Sequence, residues 1–403
     1  MSAPNRRRNW NSWCSTACPP RSATTTPWPH RTTVPPSDTQ PRIWILLGDK
    51  KGDNGQVETI AEALTEATGW QGELKRVKVL EPFVFGKAKV GPTLYHIDRE
   101  LSDPLQAPWP DLILTVGRSP ANVALWIQEQ SGGHSKILLV GKPSGLMERF
   151  DLIVISTEIL LAPYPNVLRI SMPLMKIDAH AVQAAADEWQ ERFAHLPRPL
   201  VALMVGGPTN PFVYNKSVTD KLITAAGKVC REGGTPYITT SRRTPPAIVE
   251  QLRQGLPEGA HLFAWGVDTG DNPYLGLLAL ADRFIVTGDS ISMMVEVTRL
   301  GKPLEILPLP CGLLGSLDQL RRSLARWLFR PGSDSLPDRL RAHLARLVYH
   351  SHFIRHTRHY PGFHQKLVDL GLATWFGQPA QAPGGQYPND VDAVVQRIRA
   401  LLD

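Results

Sequence analysis

The sequence of 403 residues lacks any apolar run near the roughly 20 residues that a helix needs to cross a lipid bilayer. Its best candidate, 152–162, is shorter and contains Glu158, so we expect no membrane-spanning helix. Cysteine is also scarce, occurring only at positions 14, 18, 230 and 311. Such scattered cysteines indicate a reducing compartment without a disulfide framework. Cys14 and Cys18 have metal-like spacing, but without a second pair we expect no zinc site.

Two common nucleotide-binding motifs are missing as well. Neither Gly-x-Gly-x-x-Gly nor Gly-x-x-x-x-Gly-Lys-Ser/Thr occurs, which argues against a dinucleotide dehydrogenase and a P-loop nucleotidase. The net charge of +7 is unevenly placed, because Arg321–His359 alone holds nine arginines and two aspartates. A uniformly basic nucleic-acid binder would not show this distribution, and no aromatic–basic recognition motif is present. We therefore expect no nucleic-acid partner.

Residues 1–40 differ in composition from the rest of the chain. They hold seven prolines and five arginines and show no apolar periodicity, so they cannot form a packed core. We predict a disordered N-terminal extension. Whether these residues belong to the native protein is left open.

Strand, loop and helix follow one another repeatedly from Arg42 onward. Ile43–Leu47 reads as a buried strand, the loop 48–55 follows it, and a helix is predicted over 56–67. The theme recurs at 111–130, and further strands are predicted at 136–140 and 151–155. This alternation favours a parallel, doubly wound α/β sheet.

The same theme restarts after Pro197-Arg198-Pro199, a predicted interdomain hinge. We predict strands at 200–205, 236–240, 283–287 and 304–307, with helices between them and only helices from Leu313 onward. The predicted architecture is two tandem Rossmann-like domains of the GT-B type. Its segments are an extension (1–40), an N-terminal acceptor domain (41–196), a C-terminal nucleotide-sugar donor domain (197–312) and a helical C-terminal extension (313–403). The last helix, 390–402, is a candidate to pack back on the N-terminal domain.

Three loops of the second domain have the chemistry of a diphosphate site. Ser290 ends a buried strand and precedes a helix whose N–H groups and dipole favour an anion, and Ser292 adds a hydroxyl. Glu296 lies further along this helix, where a carboxylate can accept both ribose hydroxyls. A serine N-cap with a glutamate in the second turn is an equally good interpretation. The remaining predicted donor residues are Gly206, Gly207, Arg242, Arg243, Asp289 and Met293.

Each of the other two loops also has a simpler interpretation. Gly206-Gly207 allows backbone to approach a ligand, or merely forms a tight turn. Arg242-Arg243 suits phosphate oxygens, but a solvated arginine pair is commoner.

Polar residues crowd the first loop of the N-terminal domain. Asp53 is the candidate general base for an acceptor hydroxyl, with a solvated turn as the alternative. The predicted acceptor-side residues are Asp49, Lys51, Asn54, Gln56, Gly117 and Arg118. Asp390-Val391-Asp392 resembles a metal-binding Asp-x-Asp but reads better as helix capping. We expect no metal site and no cofactor.

Several motifs in this order resemble the mitochondrial-fission "elongated mitochondria" family, to which glycosyltransferase activity is attributed in Gram-negative bacteria and plants. The resemblance covers about residues 42–330. Its motifs are Gly48–Gln56, Gly117–Pro120, Phe150–Val154 with Pro165–Val167, Gly206–Pro208, Thr240–Pro245, and Asp289–Met293 with Glu296.

The resemblance implies a GT-B-like fold with the nucleotide sugar held mainly by the second domain. By analogy Glu296 takes the ribose, while Ser290, Ser292, Gly206, Gly207 and Arg243 surround the diphosphate. One departure matters: relatives carry a Pro-x-His-Asp-like stretch where this chain has Ser156–Ile159. No role of that His-Asp pair is carried over.

The leading hypothesis is a metal-independent glycosyltransferase that uses a nucleotide sugar and acts on a cell-envelope glycolipid or polysaccharide precursor. The alternatives are a non-catalytic scaffold of the mitochondrial-fission type and a GT-B-fold sugar-nucleotide epimerase. We expect a cytoplasmic protein. Peripheral contact with an anionic inner-membrane surface through Arg321, Arg322 and Arg326 is left open, since a solvated helix face explains these arginines equally well.

Overall fold

In the computed structural model, two six-stranded parallel sheets follow one another along the chain. The structure describes residues 40–49, 51–84, 89–143, 145–330, 332–333, 335–351, 354, 357–379 and 381–403. The expectations for the N-terminal extension and for Cys14 and Cys18 concern residues outside these ranges, apart from Gln40.

The first sheet has the strand order β2-β1-β5-β6-β7-β9. The strands of this first half are β1 (Ile43–Leu47), β2 (Gly72–Arg76), β3 (Lys78–Val79), β4 (Ile97–Asp98), β5 (Leu112–Val116), β6 (Lys136–Val140), β7 (Leu152–Ser156), β8 (Ile159–Leu160) and β9 (Val167–Ile170). Its helices are α1 (Lys51–Thr68), α2 (Glu81–Val84) and α3 (Arg118–Gln130). The central strands are buried throughout, which explains their apolar runs.

The second sheet has the order β12-β11-β10-β13-β14-β16. Its half contains α4 (Ala179–Ala194), β10 (Leu200–Val205), α5 (Lys216–Arg231), β11 (Thr235–Thr240), α6 (Pro246–Gly255), β12 (His261–Phe263), α7 (Tyr274–Leu280), β13 (Arg283–Thr287), α8 (Ile291–Arg299) and β14 (Leu304–Leu307). Then follow α9 (Leu313–Phe329), α10 (Leu336–His350), β15 (Thr357–Arg358), α11 (Tyr360–Asp369), β16 (Thr374–Trp375) and α12 (Val391–Leu402).

Both sheets reverse their strand order beside the first strand of the half, β1 in one and β10 in the other. In open parallel sheets, ligands bind outside the carboxyl ends of the strands at such a switch point. Apolar clusters lie on both faces of each sheet. The predicted fold class, two Rossmann-like α/β units in tandem, is confirmed.

The structure places α4 with the second sheet rather than the first. Its apolar face packs against α7, and the ring of Trp189 lies directly over Gly276, which has no side chain to obstruct it. The chain therefore passes from the first half to the second between β9 and α4. The prolines at 197–199, predicted as the hinge, lie within the second half.

The segment after Leu313 contributes strands as well as helices. Helices α9 and α10 pack on the core of the first half, while α11 and β16 belong to the second, where β16 extends the sheet beyond β14. Strand β15 pairs with β8. Helix α12 lies against α1, so the last helix does pack on the first half.

Helix α1 begins at Lys51, five residues before the predicted start at Gln56. The amide of Asn54 donates to the carbonyl of Gly48 at 2.8 Å and thereby closes the turn that leads into the helix. Gly52 and Gly55 are tolerated within it although they made the segment look like a loop. Asp53 therefore lies in the first turn of α1, at its positive end. Across the described ranges, no helix is long and apolar enough to cross a membrane.

Candidate functional site

The loops after β10, β11 and β13 meet at the carboxyl edge of the second sheet, because these three strands are direct neighbours. The loops carry most of the predicted donor-binding residues. Asp289 lies at their centre and is fully buried. Its Oδ2 accepts the Gly207 N–H at 2.9 Å, and its Oδ1 accepts the hydroxyls of Tyr214 at 2.6 Å and Thr287 at 2.9 Å. Asp289 thus joins the loops after β10 and β13.

The two glycines permit close packing of protein on protein at this junction. A Cβ at Gly206 would overlap the side chains of Asp289 and Ser290, and one at Gly207 would overlap the backbone of Arg243. The Gly206 N–H donates to the hydroxyl of Thr287 at 2.8 Å. We expected these glycines to surround a diphosphate, but here their N–H groups are already used inside the protein. They hold the loops together, and their contact with a diphosphate stays a prediction.

Unused donors lie at the start of α8. Within the described ranges, no residue accepts a hydrogen bond from the N–H groups of Ile291, Ser292 or Met293, and the side chain of Ser290 does not cap the helix. The first bond at this end runs from the Met294 N–H to the Ser290 carbonyl at 3.1 Å. Three aligned donors at a positive helix end form an anion site. The simple N-cap interpretation of Ser290 is not what the structure shows.

The two neighbouring arginines diverge. Arg243 turns toward the junction, where its guanidinium lies 3.5 Å from Oδ2 of Asp289 and donates to the hydroxyl of Thr209, and about half of its side chain stays exposed. Arg242 lies over the ring of Trp265, 5.9 Å from its centroid. Only Arg243 is therefore placed beside the N-terminus of α8.

Glu296 lies one helical turn beyond Ser292 on the same face of α8. Its Oε2 accepts the hydroxyl of Tyr274, and in the described structure its Oε1 has no partner. Burial raises the pKa of Glu296, and the hydrogen bond from Tyr274 opposes this rise. At a rise of 1.5 Å per residue, Glu296 is about 7.5 Å along the axis from the start of the helix. That spacing suits a ribose whose phosphates reach the helix end.

His364 contacts the loop after β13 and was not predicted from the sequence. It lies on α11 and is buried, and its Nε2 donates to the Gly288 carbonyl at 2.7 Å. Burial lowers the pKa of His364 to about 4, although the hydrogen bond to Gly288 raises it. The only sequence signal was a histidine within the apolar pattern of residues 360–367.

In the first half, two predicted acceptor-side residues have structural contacts. Asp49 accepts the Val79 N–H at 3.0 Å and pairs with Lys78 at 3.0 Å. Asn54 closes the turn before α1. Gln56 is half-buried on α1, and Lys51 is its first residue, with a side chain outside the described part.

Gly117 and Arg118 lie at the carboxyl end of β5. Gly117 has a φ of 81°, a left-handed conformation that favours glycine, and it precedes α3. Arg118 begins this helix. Both line a small pocket whose other walls include Asn122, Lys142 and Phe150.

Asp53 has one charged neighbour, Arg358, that the sequence did not reveal. Arg358 interacts electrostatically with both Asp53 and Glu158. Glu158 is buried just beyond β7, where its Oε1 accepts the Ser156 hydroxyl at 2.6 Å and its Oε2 has no partner. Burial raises the pKa of Glu158, while the Ser156 hydrogen bond opposes the rise. Glu158 occupies the stretch where the sequence departs from its relatives.

The arginines predicted to meet a membrane are not equivalent. Arg321 and Arg322 both pair with Asp318, at 2.5 and 2.6 Å, and Arg322 also donates to the carbonyl of Arg358 at 2.5 Å. Arg326 is exposed beside Ser323. Two of the three are therefore held by neighbouring protein groups.

Asp390 acts as a structural acceptor, since its Oδ2 accepts the Ser171 N–H at 2.6 Å. In the parts of the chain that the structure describes, no three His, Cys, Asp or Glu side chains cluster as metal ligands would.

Comparison with known families shows to which family this chain belongs. The model of the family described as "Mitochondrial fission ELM1" matches residues 51–326, more than half of the chain. This chain belongs to the mitochondrial fission ELM1 family. The match begins with α1, just after β1, and ends within α9, so the family segment contains the switch point of the second sheet in full.

Two curated relatives and one solved structure show how similar this chain is to known proteins. The mitochondrial fission protein ELM1 of Arabidopsis thaliana is 24% identical over 258 residues, which cover 59% of this chain and 58% of the relative. An uncharacterized protein of Rickettsia prowazekii is 25% identical over 299 residues, 66% of this chain and 82% of that protein. The E. coli ADP-heptose LPS heptosyltransferase II has a TM-score of 0.41 at 12% identity, covering 90% of this chain and 98% of its own.

Proposed function

We propose that this ELM1-family protein is a glycosyltransferase that takes its sugar from a nucleotide-sugar donor bound in the second half. The observation that carries the proposal is the set of three unpartnered N–H groups at the start of α8 beside the half-exposed Arg243. Together they offer a positive, preorganised surface at a sheet switch point, where a diphosphate binds well.

Residues near this surface complete a donor site. The hydroxyls of Ser290 and Ser292 are donors for phosphate oxygens, and the unpartnered Oε1 of Glu296 accepts a ribose hydroxyl. Met293, half-buried on the same side, adds apolar contact. Arg243 and the helix dipole neutralise the leaving diphosphate, so the mechanism that we propose needs no metal.

The acceptor would bind at the carboxyl edge of the first sheet, near Arg118. A carboxylate there must take the proton of the attacking hydroxyl. Asp53 is the candidate that the sequence offers, and we add Glu158 as a second candidate because its buried carboxyl has the raised pKa that suits a general base. Arg358 lies near both, and its positive charge opposes the rise in the pKa of Glu158.

For the acceptor we propose a glycolipid or polysaccharide precursor of the cell envelope, met at the cytoplasmic face of the membrane. The basic segment after Arg321 supports this proposal through its charge. Proximity to a membrane would also raise the local concentration of a lipid-linked acceptor.

A second candidate is a non-catalytic scaffold. It is favoured by the name of the Arabidopsis relative, which is a mitochondrial fission protein. A scaffold has no need for aligned free donors beside an exposed arginine. An epimerase of the same fold would use the same donor residues and differ only in its product.

A thermal-shift screen across nucleoside diphosphates and nucleotide sugars tests the proposal. We expect at least one nucleoside diphosphate to raise the melting temperature, and we expect the shift to vanish in Glu296→Ala. If no nucleotide stabilises the wild type, the donor site is wrong and the scaffold is favoured. Product analysis with the stabilising nucleotide sugar then separates transfer from epimerisation.

A further inference from the structure

Helix α10 presents an apolar stripe to solvent. Its exposed leucines follow helical spacing and are 70%, 63%, 47% and 55% exposed at Leu336, Leu340, Leu344 and Leu347. At about 100° per residue they fall within a sector of roughly 80°. Single exposed leucines are ordinary, but four on one stripe indicate a surface that meets something apolar.

The orientation of this helix is fixed by its other side. Arg341 is buried, donates to the carbonyls of Leu328 and Arg330 at 2.9 and 2.7 Å, and pairs with Asp338 at 3.0 Å. Ala345 is buried on the same side, within the core that α9 and the first half share. These contacts pin α10 to the end of α9. The leucine stripe therefore faces outward because the opposite side of the helix is already used.

One flank of the stripe is basic. On the helical wheel His343 and His350 lie next to the leucine stripe, and Arg339 and Arg346 follow beyond them. The only acidic residue in the sequence of α10 is Asp338, which pairs with the buried Arg341. On α9, Leu324, Arg326 and Trp327 are also exposed, and so is Arg330 just after the helix, which lies 3.9 Å from Asp338. The exposed side of this helical pair is thus apolar and cationic together.

We infer that α10 lies in the interface of an anionic phospholipid bilayer, with its leucine stripe among the acyl chains and its basic flank on the phosphates. Helices of this composition lie in the membrane plane, with the apolar side about 5–10 Å deep in the headgroup region. The inference sharpens the membrane contact proposed above. It moves that contact from Arg321 and Arg322, which pair with Asp318, to α10.

Charge favours a bilayer over a second copy of the chain. A two-fold contact through the stripe would bring together two basic flanks, and the acidic side chains beside them, Asp338 and Glu148, already pair with Arg341 and His350. A bilayer of anionic lipids supplies the missing negative charge and covers the leucines at the same time. Because α9 and α10 pack on the first half, the bilayer would lie beside the half proposed to bind the acceptor.

Sedimentation of the full chain with phosphatidylglycerol–phosphatidylcholine vesicles tests this inference. We expect the wild type to bind them and to bind pure phosphatidylcholine at least tenfold more weakly. Leu340→Glu with Leu344→Glu should abolish binding. Leu101→Glu is the matched control, because Leu101 is 71% exposed in the first half but outside any leucine stripe, and it should bind like the wild type. Arg330→Glu with Arg339→Glu should weaken binding at least tenfold and remove the preference for anionic lipid.

Three results would overturn the inference. One is a wild type that binds neither vesicle, and another is a leucine double variant that still binds fully. The third is a dimer in light scattering that the same double variant dissociates, since a second copy would then cover the stripe. All of these positions are exposed, so equal melting temperatures verify folding. The nucleotide-induced shift should persist in the leucine double variant, which separates this test from that of the donor site.

Discussion

The hydroxyl of Tyr214 donates to Oδ1 of Asp289 at 2.6 Å across 75 residues of sequence. The same hydroxyl lies 3.0 Å from the hydroxyl of Thr287, so one tyrosine secures the carboxylate that joins two loops of the candidate site. The pKa of this tyrosine is strongly raised by burial and by the carboxylate beside it. The site therefore depends on a buried hydrogen-bond network that a ligand need not touch.

We expect Tyr214→Phe to destabilise the protein by about 1–3 kcal/mol, because Asp289 loses one donor in a buried place. Tyr237→Phe is the control. Tyr237 is half-buried and its ring stacks on His261, but in the described structure its hydroxyl has no partner. Its removal should change the free energy of unfolding in urea by less than about 0.5 kcal/mol. Equal effects at the two positions would show that the network contributes nothing.

Neighbouring arginines provide a test of the diphosphate site. Arg243→Ala should weaken binding of the stabilising nucleoside diphosphate by about 10- to 100-fold, as expected for loss of a charged hydrogen bond. Arg242→Ala removes the same charge one residue away, where the guanidinium lies on Trp265, and should cost less than about threefold. Isothermal titration measures both. If Arg242→Ala has the larger effect, the phosphates bind toward Trp265 instead.

Glu296 and Tyr274 should act together on the ribose. Glu296→Ala should lower nucleotide affinity at least tenfold, roughly the 1.4 kcal/mol of one good hydrogen bond. Tyr274→Phe removes the bond that lowers the pKa of Glu296, so more of the carboxyl is protonated and binding near pH 5 should weaken more than binding at pH 8. Calorimetry at the two pH values measures this difference, and a pH-independent loss in Tyr274→Phe would contradict it.

His364 should make folding sensitive to acid. Its folded pKa of about 4 lies below the ordinary value of 6.5, so the folded state favours the neutral ring. The contribution of His364 to the free energy of unfolding is fully present above pH 6.5. As the pH falls toward 4, that free energy decreases by up to about 3 kcal/mol, because the folded state resists protonation of the ring. His364→Gln keeps a donor for Gly288 but does not titrate. Its free energy of unfolding should decline less steeply over that range, and parallel pH curves would contradict the prediction.

Activity assays with an identified donor and acceptor can distinguish the two candidate bases. If Glu158 is the base, Glu158→Gln should reduce kcat at least 100-fold, and Asp53→Asn should reduce it less than tenfold. The wild-type rate should rise with pH through the raised pKa of Glu158 and then level off. The reverse pattern of variants would return the role to Asp53.

The sheets were predictable because their central strands are continuous apolar runs. Edge strands were not: β2, with the sequence Gly-Glu-Leu-Lys-Arg, is exposed along most of its length and has no apolar pattern. Likewise β16 has only two residues, and pairing with β14 defines it. Such strands form because a neighbouring strand offers backbone hydrogen-bond partners. No local sequence pattern indicates that pairing.

Within the site, the sequence identified the loops but not the contacts that each of their residues makes. Gly206, Gly207 and Asp289 are predicted to meet a ligand, and the structure shows that they also join the loops after β10 and β13. Arg242 and Arg243 are adjacent in sequence and diverge in space. His364 and Arg358 come from beyond the segment that carried the motifs, so only tertiary structure could bring them to the two sites.

The placement of α4, α9, α11 and α12 has a mechanical consequence. The chain crosses between the two sheets four times, before α4, before α9, before α11 and before α12. No single cut in the backbone releases either half as a contiguous piece, so expression of one half alone should yield aggregating protein. Any movement of one half relative to the other must therefore bend all four connections at once.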